Sequence, residues 1–298
     1  VETDRKKLID RIESLESELA ARERDVLRYR TELAKANTRL ETLIAQVATE
    51  LRAAHLIQKA LVPTEFPNIP GFEFSTQFLP SLVSGGDYFD IFEHEDRFRF
   101  GLVVASSSGH AMSALFLSVL LKLSGQMEAR KGVEPHVALN RFAQELVPNI
   151  EGNSEAHVLY AVMDRRRYDI AICRAGNILV LHQEASTGEV KVIPPQFPAF
   201  SHGFQSKLAS QTLSLNPKDR LILCTQGMLE VTNLKGEVYG IERLVQSILK
   251  GPRQGVHELR NHVVYSVQKY GSGQDLQRDL TLVVLEVKER IIKLAKKS

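Results

Sequence analysis

Residues 157–182 read HVLYAVMDRRRYDIAICRAGNILVLH. Three strand-like pieces lie in that stretch, His157–Met163, Tyr168–Cys173 and Ile178–His182, separated by turn-forming Asp164–Arg167 and Ala175–Asn177. Apolar runs this short, joined by turns this tight, predict hairpin-like pairs and a largely antiparallel sheet. Working outward, Phe72, Phe74, Thr76 and Phe78 alternate with Glu73, Ser75, Gln77 and Leu79, which suits another strand. Further strands are expected at Phe98–Ala105, Val190–Ile193, Leu221–Cys224 and Leu280–Val287, with a Ser/Gly turn at 106–109. Longer patterns predict helices at Ala111–Leu123, His136–Leu146, Ile241–Leu249 and Val256–Tyr270. That order points to an α+β fold with antiparallel sheets, not a doubly wound parallel one.

The first 62 residues are of another kind. They hold no Gly and no Pro, whereas the rest of the chain holds all 18 Gly and all 11 Pro. Steps of four and three from Leu8 meet Ile12, Leu15, Leu19, Arg22, Val26, Tyr29, Leu33, Ala36, Leu40, Leu43 and Val47, and Arg22 alone is not apolar. A period of 3.5 held this long predicts a coiled-coil seam and a homodimer. The other faces carry 12 Lys/Arg against 11 Asp/Glu in residues 1–62. The domains expected are therefore a stalk over 1–62 for dimerisation and signal transmission, a globular domain over 63–290, and a basic tail over 291–298. A helix that opens in mid-pattern is expected of a piece of a longer protein.

Composition narrows the classes. The chain has 298 residues, 43% hydrophobic and 25% charged, with a formal net charge of +2. So small a charge gives no electrostatic reason to expect nucleic-acid binding. The longest apolar stretch, Ala114–Leu121, contains Ser118 and stops at Lys122, well short of a membrane span. No basic-then-apolar leader opens the chain, so a cytoplasmic location is expected. Two cysteines, Cys173 and Cys224, form neither a disulfide framework nor a zinc site and are expected to be buried thiols.

Four polar segments stand at strand ends or turns: Gly85-Gly86-Asp87-Tyr88-Phe89-Asp90, Ser106-Ser107-Ser108-Gly109-His110, Thr225-Gln226-Gly227 with Glu230 and Asn233, and Arg278-Asp279-Leu280-Thr281. In order and spacing they resemble the metal-dependent (PPM) serine/threonine phosphatases of the bacterial SpoIIE-like branch. The resemblance runs from about residue 55 to 287. It includes Ile57-Gln58, Leu61, Pro63, Pro67 and Gly71 at its start, Ala175-Gly176 in the middle, and Gly236-Glu237-Val238-Tyr239-Gly240 near the end. It implies an α-β-β-α sandwich, two antiparallel sheets flanked by helices. It also implies two Mn²⁺ or Mg²⁺ ions activating a bridging water.

Such hard cations need carboxylate ligands. The family takes them from GGD, D-x-S-G-H-G, T-D-G and the first Asp of D-D-x-T. At those positions this chain has Asp87, Ser106, Gln226 and Arg278, so one aspartate of four remains. Asp90 and Asp279 match neighbouring acids of the family. Ser106 and Gln226 each remove one negative charge and Arg278 removes one and adds a positive one, a change of +4. A guanidinium cannot shed its proton to admit a cation, and Arg278 is expected to pair with Asp87. Ala111 and Asn177 depart from a family glycine and histidine.

The expectation is a degenerate pocket of Asp87, Asp90, Ser106, Ser107, Gly109, His110, Gln226, Arg278 and Asp279, without metal cofactor and without metallophosphatase turnover. The resemblance implies a protein partner, a STAS-type anti-sigma-factor antagonist or another signalling phosphoprotein, bound by a catalytically inactive regulatory module. Two alternatives stay open: a working Mn/Mg-dependent phosphatase with an altered metal site, and a pocket that takes a small anion through Arg278. A serine hydrolase is disfavoured, since Ser106–Ser108 and His110 lack a G-x-S-x-G elbow. Gly271-Ser272-Gly273 is no phosphate loop, because no G-K-[ST] follows it.

Overall fold

The computed structural model describes residues 2–61, 63, 66–81, 86–108, 131–150 and 152–288. Among these, ten strands form two five-stranded antiparallel sheets. One sheet runs β1 (Phe72–Leu79), β10 (Leu280–Val287), β9 (Arg220–Cys224), β6 (Leu179–Gln183), β7 (Val190–Ile193). The other runs β2 (Tyr88–Glu93), β3 (Arg99–Ser108), β4 (Glu155–Asp164), β5 (Asp169–Ala175), β8 (Gln211–Ser214). The helices are α1 (Glu2–Leu61), α2 (Pro135–Leu146), the single turn α3 (Gly227–Glu230), α4 (Gly240–Lys250) and α5 (Val256–Tyr270). The chain divides into two compact units, Val1–Ala53 and Ala54–Ser298.

Side chains alternate across a strand, so a strand covered on both faces must be apolar at every position. In β4, Leu159, Ala161 and Met163 enter the layer between the sheets, while Val158, Tyr160 and Val162 face Leu139, Phe142 and Leu146 of α2. In β10, Val283, Leu285 and Val287 enter that same inner layer, and Leu280, Leu282 and Val284 face Leu244, Ile248, Leu259 and Val263 of α4 and α5. The result is helix, sheet, sheet, helix, the sandwich that the family resemblance implied. Both cysteines are buried, and burial pushes each thiol up to about 12.

Three readings change. The turn at Asp164–Arg167 makes a hairpin of β4 and β5, but Ala175–Asn177 carries the chain to the other sheet, where β6 pairs with β7 and β9. Alternation alone cannot choose a strand's partner. Arg174 braces the crossing, its guanidinium donating to the carbonyls of Ile178 at 2.5 Å and Ile193 at 2.8 Å. The turn expected at 106–109 gives way to strand through Ser108, because Ser106, Ser107 and Ser108 stay in register with His157, Ala156 and Glu155. Two strands, β2 and β8, lie where none was expected. The helix expected at Ala111–Leu123 and the tail 291–298 lie outside the described residues.

In α1, Ile12, Leu15, Leu19, Val26, Tyr29, Leu33, Leu40 and Leu43 of the seam are between 47% and 64% exposed in the single chain. Arg22, the polar member of the seam, pairs with Glu18 one turn earlier at 2.9 Å. The side chains of Leu8 and Val47 lie outside the described residues.

Candidate functional site

Five strands that line the inner layer end on a polar residue in the same alternation. Ile91 and Phe89 lead to Asp87, Leu102 and Val104 to Ser106, and Leu159 to His157. Leu221 and Leu223 lead to Thr225, and Leu285 and Val283 to Thr281. Each strand's next inward position, one step past its last apolar side chain, thus falls at one end of the sandwich. All five polar residues are buried, Asp87 at 2% exposure and Thr225 and Thr281 at none.

Asp87 is the centre of the group. Thr225 and Thr281 donate their hydroxyls to its Oδ2 at 2.6 and 2.7 Å, which ties a residue of one sheet to two strands of the other. Ser106 adds a further side-chain hydrogen bond. The threonines are themselves coupled, Thr281 N–H donating to Thr225 Oγ1 at 3.1 Å and Thr225 N–H to the Thr281 carbonyl at 3.1 Å. Burial pushes the Asp87 carboxyl from 3.8 up to about 7, and the Asp279 carboxylate pushes the same way. The Thr225, Ser106 and Thr281 hydroxyls oppose the rise but do not cancel it.

Asp279 holds the backbone. Its Oδ1 accepts from Ser81 N–H at 2.7 Å, and its Oδ2 accepts from Gly86 N–H at 2.8 Å and Asp87 N–H at 3.2 Å. Gly227 is required beside it, because a Cβ there would lie 2.0 Å from the Asp279 carbonyl oxygen. Gln226 stands just before α3, its carbonyl receiving Leu229 N–H at 2.9 Å and Glu230 N–H at 3.3 Å.

Other expected pocket residues lie elsewhere. Asp90 follows Asp87 by three residues, so it shares the opposite face of β2 with Tyr88 and Phe92. There it accepts from Tyr88 Oη at 3.1 Å and from Ile91 N–H at 2.8 Å. Ser107 also falls off the inner face, and both its N–H and its hydroxyl reach the Gly86 carbonyl, at 3.3 and 3.4 Å. Gly109 and His110 are outside the described residues. Arg278 does not pair with Asp87: its Nε meets Glu230 at 3.0 Å, with both side chains more than one third exposed. Asp87 already receives the Thr225 and Thr281 hydroxyls, and Glu230 offers Arg278 a carboxylate at a place where both side chains keep part of their hydration, which lowers the desolvation cost of the pair.

His157 was missed by the sequence reading, although carrying the β4 alternation one step back from Leu159 would have found it. Its Nδ1 accepts from Asn177 N–H at 3.2 Å, which leaves Nε2 as the protonated nitrogen of the neutral ring. Burial pulls its pKa below 6.5, and the nearby Arg278 charge adds to that, against Glu155 and Glu230. Gly176, at φ +81°, leaves the ring its room, because a Cβ there would lie 2.3 Å from Nδ1. Among the described residues, no three His, Cys, Asp or Glu side chains are grouped so as to hold a metal ion.

Comparison with known proteins agrees with this architecture. The family model described as Stage II sporulation protein E (SpoIIE) matches residues 96–288. Among solved structures, the SiaA-PP2C domain of Pseudomonas aeruginosa is similar at 19% identity and TM-score 0.67, over 83% of this chain and 97% of that one. The RsbU and RsbW domains of a Mycobacterium tuberculosis protein are similar at 19% identity and TM-score 0.62, over 76% and 64%. The PP2C phosphatase domain of SpoIIE from Bacillus subtilis, with a fragment of its regulatory domain, is similar at 15% identity and TM-score 0.60, over 72% and 63%. At such identities the structural likeness speaks for the fold, while the family match spans most of the chain; with both in hand, the chain belongs to the SpoIIE family of PP2C-type (PPM) phosphatase domains.

Proposed function

We propose that this protein is a catalytically inactive member of its family, a regulatory module that binds a signalling phosphoprotein without dephosphorylating it. The observation that carries the reading is the bonding of Asp87. Its Oδ2, which a metal would claim, accepts two threonine hydroxyls, and its raised pKa favours the neutral acid. The three other family ligand positions hold a serine, a glutamine and an arginine turned to Glu230. Asp279 is occupied with backbone amides, and Asp90 faces the other side of its strand. Hard divalent cations require several anionic oxygens, so these residues do not fit a two-ion centre.

In this reading the sandwich keeps a partner surface, for a STAS-type antagonist or a comparable phosphoprotein, and α1 joins two copies through its exposed seam and transmits a signal. The regulatory setting is supported by the similar structures, which include a cell fate determinant and an RsbU domain joined to an RsbW domain.

One measurement series separates this reading from a working phosphatase with an altered site. The purified protein, titrated with Mn²⁺ or Mg²⁺, is expected to bind no stoichiometric ion and to leave p-nitrophenyl phosphate intact. The triple variant Ser106→Asp, Gln226→Asp, Arg278→Asp is expected to gain metal affinity, because it restores the missing negative charge. Metal-dependent turnover by the unaltered chain, lost in Asp87→Ala, would refute the proposal.

A further inference from the structure

Helices α4 and α5 meet the same sheet side by side, and a groove of about 690 Å³ lies along them on the side away from the core. From α4 it is lined by Arg243, Gln246, Ser247 and Lys250, and from α5 by His262, Tyr265, Ser266 and Lys269. Each set is spaced i, i+3, i+4, i+7, one continuous face of a helix. Every charged side chain in that lining is cationic. Arg243, Lys250 and Lys269 supply three fixed positive charges in a chain whose whole net charge is +2.

A lysine in the last turn of a helix is ordinary, since it offsets the helix dipole, and Lys250 and Lys269 both hold such positions. The rest of the groove is not explained that way. Ser247 is 6% exposed, and its hydroxyl has no hydrogen-bond partner among the described residues. A helical serine can return its proton to the carbonyl four residues earlier. Here that carbonyl, of Arg243, receives the Tyr239 hydroxyl at 3.3 Å. A buried donor left unused costs free energy unless something else takes it. Arg243 is held in place, its Nη1 donating to the Val238 and Tyr239 carbonyls at 3.0 and 3.1 Å and its guanidinium lying 4.9 Å from the Tyr270 ring centroid. The Tyr265 ring stands 63% exposed at the opposite helix, with the Lys269 ammonium 5.9 Å from its centroid.

We infer that this groove binds a small ligand carrying several phosphate groups and an aromatic ring, in chemical class a nucleoside triphosphate. Phosphate oxygens are acceptors only and match a lining of Arg, Lys, His and Ser donors. An exposed tyrosine ring offers a stacking face for a base. The volume falls within the range of small-molecule sites. The inference is independent of the proposed function, because none of these residues touches the Asp87 group.

The test is calorimetric titration of the full chain with ATP in excess EDTA, beside adenosine and inorganic tripolyphosphate. ATP is expected to bind with a dissociation constant on the order of 10–100 μM, and each fragment at least tenfold more weakly. Lys250→Gln with Lys269→Gln should weaken ATP at least tenfold while the far-UV circular dichroism of the folded chain is unchanged, and Ser247→Ala severalfold. Asp87→Asn should leave ATP binding unchanged. Absence of binding at about 1 mM ATP, or equal ATP affinity in the double variant, overturns the site. Tripolyphosphate binding as tightly as ATP overturns the assignment of a nucleotide.

Discussion

Replacing Asp87 by asparagine should stabilise this protein at neutral and alkaline pH. In the fold the carboxyl is 2% exposed and titrates near 7, while in the unfolded chain it titrates near 3.8. Between those values the native state holds a proton that the unfolded state has lost. Stability from this group is therefore greatest below about pH 4, declines as pH rises, and is gone above about pH 7. At about 1.4 kcal/mol per pKa unit the decline is worth roughly 4 kcal/mol. Asparagine keeps an oxygen for the Thr225 and Thr281 hydroxyls and carries no charge to desolvate. The asparagine protein should accordingly match the parent near pH 4 and exceed it near pH 8 by as much as about 4 kcal/mol.

His94 works in the opposite sense and must be separated. Burial, with the Arg99 charge beside it, lowers its pKa to about 4, so its contribution is full above about pH 6.5 and lost as pH falls through 4. Over about pH 4 to 6.5 the two groups oppose each other. The parent profile should be flatter than that of Asp87→Asn, which should rise with pH. Urea titrations in EDTA at several pH values give the difference between the two proteins, in which His94 cancels. Tyrosine fluorescence can report them, because six of the seven tyrosines lie outside α1 and the chain has no tryptophan. A parent more stable than Asp87→Asn near pH 8 would mean that the charged carboxylate has a cationic partner, and the account of the pocket would fail.

Two further outcomes are expected. Sedimentation of the full chain at micromolar concentration should show a dimer, and Leu19→Lys with Leu33→Lys should shift it to monomer, since each leucine sits in the exposed seam and a buried lysine there lacks a partner. Thr281→Val should cost about 1–3 kcal/mol near pH 8, where it leaves the buried Asp87 charge short of a donor, whereas Arg278→Ala should cost under about 1 kcal/mol because its pair with Glu230 is half in water. Equal effects of those two variants would contradict the assignment of Asp87, not Arg278, as the centre of the pocket.

The contrast between Thr281 and Arg278 also marks what was legible in the sequence. Strand positions were, wherever a run of apolar residues reported a strand covered on both faces, as in β10, whose bounds coincide with those expected. The partner of β6 was not, because a short apolar run carries no label for the sheet it joins, and the choice rests on long-range pairing with β9. In the site, Asp87, Ser106, Gln226 and Arg278 stood out as departures from or matches to a family pattern. That view drew attention to charge, and it suggested an Asp87–Arg278 pair, whereas Arg278 meets Glu230. Thr225, Thr281 and His157 were equally present in the sequence, each one alternation step beyond an apolar stripe. Their meaning depends on two sheets being stacked with those ends together. Once stacked, inward polar residues at that end must satisfy one another. Here a carboxyl and two hydroxyls do so by joining Asp87 of one sheet to β9 and β10 of the other. On the reading proposed above, these hydrogen bonds do the bridging that metal ions between the sheets would otherwise share.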